Sequence, residues 1–169
     1  SMKKKQEVEL REISYPECAC AISEASEGGV PHLSITLMTA DTINNNSRRY
    51  PYSTLVDAYN EYKKVVEQGE TAAYMLADHP VGDSKPSMKD VAGLIKEIWI
   101  DDTTKSLKGK IAILDNNNGD VIQSILKVGG KVGVSARGNG VLRPITENGK
   151  NIEEVSRLSL KGFDFVMFP

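Results

Sequence analysis

The 169 residues carry 21 lysines and arginines against 23 aspartates and glutamates, a net charge of −2, with 40% hydrophobic and 26% charged side chains. That balance is ordinary for a globular chain able to bury a core, and it reads as a single domain over residues 1–169. With no global basic field and no apolar run long enough to span a bilayer, neither nucleic acid nor a membrane is expected as a partner.

In chain order, Ser1-Met2 reads as a cloning remnant and Lys3-Lys4-Lys5 as a solvated charge cluster, so residues 1–6 are expected to be a flexible N-terminus with no signal peptide. The alternation in EVELREI (7–13) predicts a strand, and 17–23 predicts a second. The second holds Cys18 and Cys20, the only cysteines. Two thiols on one strand face fall short of a structural zinc site, and reduced thiols are expected. HLSITLMTADTI (32–43) reads as a strand with Leu33, Ile35 and Leu37 on one face and His32 as a partly exposed residue at its start. NNNSRRYP (44–51) reads as an irregular polar loop. Residues 53–68 place Leu55, Tyr59 and Tyr62 at helical spacing, with Ser53 as N-cap and Gly69 as stop.

AAYMLADHP (72–80) then climbs as a strand to His79 and a loop of Pro80, Gly82 and Pro86. VAGLIKEIWID, DDTTKS and LKGKIAILD form a strong hairpin signal over 91–115. Asp120–Val128 predicts a short helix with Val121, Ile122, Ile125 and Val128 apolar. The preceding DNNNGD (115–120) reads as a turn, since a calcium loop needs glycine at its sixth position and glutamate at its twelfth, where Leu126 stands. Two final strands hold KVGVSARGNG (131–140) and SLKGFDFVMFP (159–169). Gly133 and Gly138 have the spacing of a phosphate loop, but Asn139-Gly140 stands where Lys-Ser/Thr is required. The sum is α+β and mostly β: short strands in an antiparallel sheet or barrel with helices packed outside. No metal or cofactor is expected.

Three residues have the types needed for nucleophilic catalysis. Alternation points Val132, Val134 and Ala136 one way and Gly133, Ser135 and Arg137 the other, so the Ser135 hydroxyl faces away from the apolar side. A serine needs an adjacent base, usually a histidine held by a third group. His79 ends a strand beside a proline-restricted turn, a better place for a cleft than His32. In GFDFVMF, Asp164 shares a face with Val166 and Phe168, where a carboxylate needs a partner. A protonatable histidine is one such partner; Arg137 or Lys161 is the alternative. Arg137 and the backbone N–H groups of Ala136, Arg137 and Gly138 are candidate oxyanion or substrate ligands, the plainer reading of Arg137 being a surface salt bridge. Glu153 and Glu154 are expected to face solvent.

NNNSRRYP, ADHP, GVSARGNG and DFVMFP stand in the same order as in the tailed-phage prohead core proteases, serine endopeptidases similar to the herpesvirus assemblins. The resemblance covers roughly residues 40–169. It implies a small antiparallel β-barrel with helices around it, Ser135 as nucleophile, His79 as base and Asp164 as third member. It implies cleavage of scaffold and major capsid proteins, often after a glutamate, and of the protease itself. The setting implied is a procapsid assembling in bacterial host cytoplasm, with the protease as a homo-oligomer. Two departures stand out. Ala136 replaces the second serine of the family segment, and Met75-Leu76-Ala77 precedes the histidine where Gly-Glu-Leu is common. Were the missing serine the nucleophile, this chain would be inactive. A non-catalytic capsid- or scaffold-binding module on the same fold, and a hydrolase acting on esters, are the rival expectations. A C-terminal tail found in relatives is read as trimmed at Pro169.

Overall fold

The structure is a computed structural model that describes residues 6–14, 22–23, 29–78 and 86–167. Cys18, Cys20, His79, Pro80 and Gly82 lie outside the described residues, as does most of the strand expected over 17–23. In chain order the elements are β1 (Val8–Ser14), β2 (Ile22–Ser23), β3 (His32–Thr39), β4 (Arg48–Arg49), α1 (Tyr52–Glu67), β5 (Tyr74–Ala77), β6 (Val91–Asp101), β7 (Ser106–Ile113), α2 (Asn117–Lys127), β8 (Gly133–Glu147) and β9 (Lys150–Val166).

All the strands join one sheet in the order β1-β8-β9-β5-β6-β7-β3-β2, with β4 running beside β9. Pairing is antiparallel except where β4 and β5 lie parallel to β9. The sheet curls into a half-barrel whose order ends at β1 and β2. The hairpins form where period-2 runs flank turn residues. Asn148 and Gly149, at φ 51° and 77°, turn β8 into β9, the left-handed pair that matches strand twist. Leu33, Ile35 and Leu37 are buried as expected, and a bulge after Thr36 turns Met38 inward as well.

Helix α1 lays Leu55, Ala58, Tyr62 and Val66 on the sheet, with the Tyr62 and Phe163 rings edge to face at 5.5 Å. Gly69 ends it at φ +61°, but the start is not Ser53. Pro51 occupies the cap position, and the Asp41 carboxylate accepts from the Tyr52 amide at 3.0 Å, so a distant loop satisfies the first turn. Helix α2 begins earlier than its apolar pattern implied. Asn116 caps it by accepting from the Gly119 amide at 2.8 Å, which turns DNNNGD into a cap and first turn. Gly119, Ile122 and Leu126 form its buried stripe, leaving Val121 and Val128 exposed.

Polar residues depart furthest from expectation. Glu12 is buried on β1, where its carboxylate accepts from Asn44 at 2.6 Å, Asn46 at 2.8 Å, Arg48 at 2.9 Å and the Tyr50 hydroxyl at 2.8 Å. The polar loop 44–51 is therefore tied to the first strand, and Arg48–Arg49 pairs with β9. Glu154 does not face solvent freely: it binds Arg49 at 3.0 Å and Arg143 at 2.7 Å, while Glu153 lies 3.9 Å from Arg48. His32 is buried rather than partly exposed, its Nδ1 2.8 Å from the Val30 carbonyl oxygen.

Candidate active site

Ser135 and Asp164 come from strands adjacent in the sheet, β8 and β9, and stand directly opposite each other in register. Cross-strand partners project to the same face with Cβ atoms roughly 5 Å apart. Val134, Ala136, Phe163 and Phe165 point to the core face and are buried in it. The alternation read from VSA and FDF thus places the hydroxyl and the carboxylate together on the opposite face. Both residues are 0% exposed.

The Ser135 Oγ has no hydrogen-bond partner among the described residues. A buried hydroxyl left unpaired costs about 1–3 kcal/mol, so such a group is rarely retained without a use. Asp164, by contrast, is heavily engaged. Arg137 donates from Nε to Oδ2 at 2.6 Å and from Nη2 to Oδ1 at 3.1 Å. The guanidinium is itself mostly shielded, at 15% exposure, so this is a buried ion pair and not a surface salt bridge.

β5 brings the third segment in. Leu76 pairs with Asp164 and Ala77 with Phe165 in parallel register, and the Asp78 amide donates to the Phe165 carbonyl at 2.7 Å. Asp78 then adopts φ +67°, a left-handed conformation uncommon outside glycine. The left-handed residue ends the regular alternation of β5. His79 is the next residue. A cleft of about 190 Å³ opens beside this turn between Ala77, Asp78, Val121, Ile122, Phe165 and Met167.

The expected oxyanion ligands sit differently. β8 is paired on both sides through Ala136, Arg137 and Gly138, to β1 and to β9, so their amides lie within ladders. Ile13 of β1 stands opposite Ser135 on the side of β8 away from β9. Two features were not read from sequence. The Asp78 turn is signalled only by the tolerance of aspartate for left-handed backbone, and the Gly162 site beside Arg137 only by a glycine inside a strand. Among the described residues, no group of His, Cys, Asp and Glu could hold a metal ion, and no helix is long and apolar enough to cross a membrane.

No curated protein matches the chain significantly. Among solved structures, the bacteriophage T4 capsid assembly protease, gp21, superposes with a TM-score of 0.80 over 97% of this chain and 99% of that one, at 21% identity. At that identity the likeness is one of fold. Residues 18–169 match the family model described as prohead core protein serine protease, a span that begins before β2 and includes every later element through β9. The chain belongs to the prohead core protein serine protease family.

Proposed function

We propose that the chain is a procapsid-maturation serine endopeptidase in which Ser135 is the nucleophile, His79 its base and Asp164 the group that orients the base. The observation that carries this reading is the fully buried Ser135 hydroxyl, without a hydrogen-bond partner among the described residues, facing the buried Asp164 across two neighbouring strands. Ala136 supports the choice of serine: its side chain lies in the core opposite Phe163, so a hydroxyl there would face apolar side chains and not a substrate. β5 supports the choice of histidine, since its register carries the chain past Asp164 and turns it at Asp78.

In the reaction, the Ser135 Oγ bonds to the scissile carbonyl carbon while its proton passes to the His79 imidazole. The negatively charged Asp164 stabilises the imidazolium. The C–N bond then breaks, the imidazolium protonates the departing amine, and water hydrolyses the acyl-enzyme by the same proton route. Ser135 is buried and the amides of Ala136 to Gly138 are paired, so productive binding belongs to an opened state in which β1 from Leu10 to Ser14 yields its place on β8. Those of the amides that point toward β1 then become available to an oxyanion, while those that point toward β9 stay in the ladder. The substrates are scaffold and major capsid proteins, and the protease itself, inside an assembling procapsid in the host cytoplasm, where it works as a homo-oligomer.

Ser135→Ala tests the reading. Cleavage of the scaffold protein encoded with this protease should fall by about 10⁴-fold or more. Because the substitution removes one buried hydroxyl that has no hydrogen-bond partner among the described residues, its thermal stability should stay close to that of the parent chain. Cleavage at the parent rate would leave the non-catalytic binding module as the better account. Cleavage of small esters without cleavage of scaffold would favour the esterase.

A further inference from the structure

Arg137 holds Asp164 through two of its nitrogens, and the strand geometry is built around that contact. Gly162 stands opposite Arg137 in register, and a Cβ added there would lie 2.7 Å from Nη2 and 3.3 Å from Cζ. The guanidinium therefore lies across the bare backbone of Gly162, whose φ of +155° also disfavours any side chain. At the same point the β8–β9 ladder slips. Arg137 pairs with Gly162 but Gly138 pairs with Leu160, leaving Lys161 as the extra residue of a bulge. Bulges bend a strand and re-aim its side chains, and this one adjoins the Arg137–Gly162 pair on the side away from Asp164. Held in this way, the guanidinium is not free to meet a substrate oxyanion.

We infer that Arg137 is a positioning residue: it fixes the rotamer of the Asp164 carboxylate, and through it the imidazole of His79, without touching substrate. This rests on the triad proposed above. A planar fork that grips both carboxylate oxygens sets an orientation that a single ammonium cannot.

Two variants test it with peptide cleavage kinetics on the full chain. Arg137→Lys keeps the charge and loses the fork, while Gly162→Ala keeps both charged groups and pushes the guanidinium off its seat. Each should lower kcat by about 10²-fold, the scale of a catalytic group misplaced by an ångström, with KM nearly unchanged. On an Asp164→Asn background, Arg137→Lys should add little, because the two residues act through one another. Full additivity in that cycle, or a raised KM at constant kcat, would overturn the inference and return Arg137 to substrate binding. Should Arg137→Lys fail to fold, the folded Gly162→Ala variant decides the question, and an unchanged kcat there overturns the inference. Ser135→Ala, run alongside, separates the two claims. An active Ser135→Ala enzyme removes the triad itself, whereas an inactive one with an additive cycle removes only the role of Arg137.

Discussion

Asp78 is the residue on which the approach of the third segment turns. Its neighbours on β5 obey strict alternation, Leu76 toward Asp164 and Ala77 toward Phe165, and its own φ of +67° ends that pattern. An L-residue in this region carries roughly 1–2 kcal/mol of steric cost, least for aspartate and asparagine, and glycine carries almost none. Asp78→Gly should therefore keep both stability and cleavage rate close to those of the parent. Asp78→Val, with a β-branched side chain, should lose about 1–2 kcal/mol in urea unfolding and at least tenfold in kcat/KM, as the turn relaxes toward extended backbone. If both variants cleave equally well, the left-handed turn is not what presents the base. At this scale the sequence was informative about facing within each strand: period-2 alternation set Ser135 on the face opposite Ala136, and Asp164 on the face opposite Phe163 and Phe165. The register that brings Ser135 and Asp164 to one side came only with the structure. It was silent about backbone hand, because aspartate is compatible with both a straight strand and a left-handed turn.

Among the elements, α2 shows most clearly how a boundary is set by polar contacts and not by hydrophobic periodicity. The apolar pattern begins at Val121, but the helix begins at Asn117 because Asn116 accepts from the Gly119 amide at 2.8 Å. The same side chain donates to the Val91 carbonyl at 2.9 Å, so the cap also fastens the helix to the start of β6. Asn116→Ala should cost about 1–2 kcal/mol of stability, at the upper end for an N-cap because two bonds are lost. Asn116→Asp keeps the cap acceptor and loses only the bond to Val91, so chemical denaturation should rank it between parent and alanine variant. Equal losses for the two would assign the stabilisation to the Val91 tether. The hairpin 91–113 was legible because both strands and their turn are contiguous in the chain. Of β8 and β9 only the segments near 131–140 and 159–169 were legible, since the polar run around Asn148-Gly149 and Glu153-Glu154 carries no apolar alternation. The start of α1 was not, since its first amide is satisfied by Asp41, eleven residues upstream of Tyr52 and outside any local capping pattern.

For the whole molecule, what sequence patterning left open was the order of strands that are not neighbours in the chain. β1 on β8 and β5 between β9 and β6 are chosen by the summed burial of many faces, and no short window carries that information. One consequence is that the buried polar groups come from distant segments, with Glu12 of β1 receiving the Tyr50 hydroxyl at 2.8 Å and Tyr62 packed beneath Phe163. Burial, reinforced at Tyr50 by the Glu12 carboxylate, raises both phenols well above their ordinary value of 10.0. The sign follows directly. Below about pH 10 both folded and unfolded chains hold these protons, and the stabilisation is complete. Above it the unfolded chain releases protons that the folded chain keeps, so stability falls as pH rises, by up to about 1.4 kcal/mol per pH unit for each such tyrosine. Tyr50→Phe should start less stable at pH 8, by about 1 kcal/mol for the lost hydrogen bond to Glu12. Its urea midpoint should then decline with a shallower slope than that of the parent between pH 10 and 11, so that the two curves converge. A Tyr50→Phe curve parallel to the parent would mean that alkaline unfolding is governed elsewhere, and that the tie between β1 and the 44–51 loop opens before the phenol ionises.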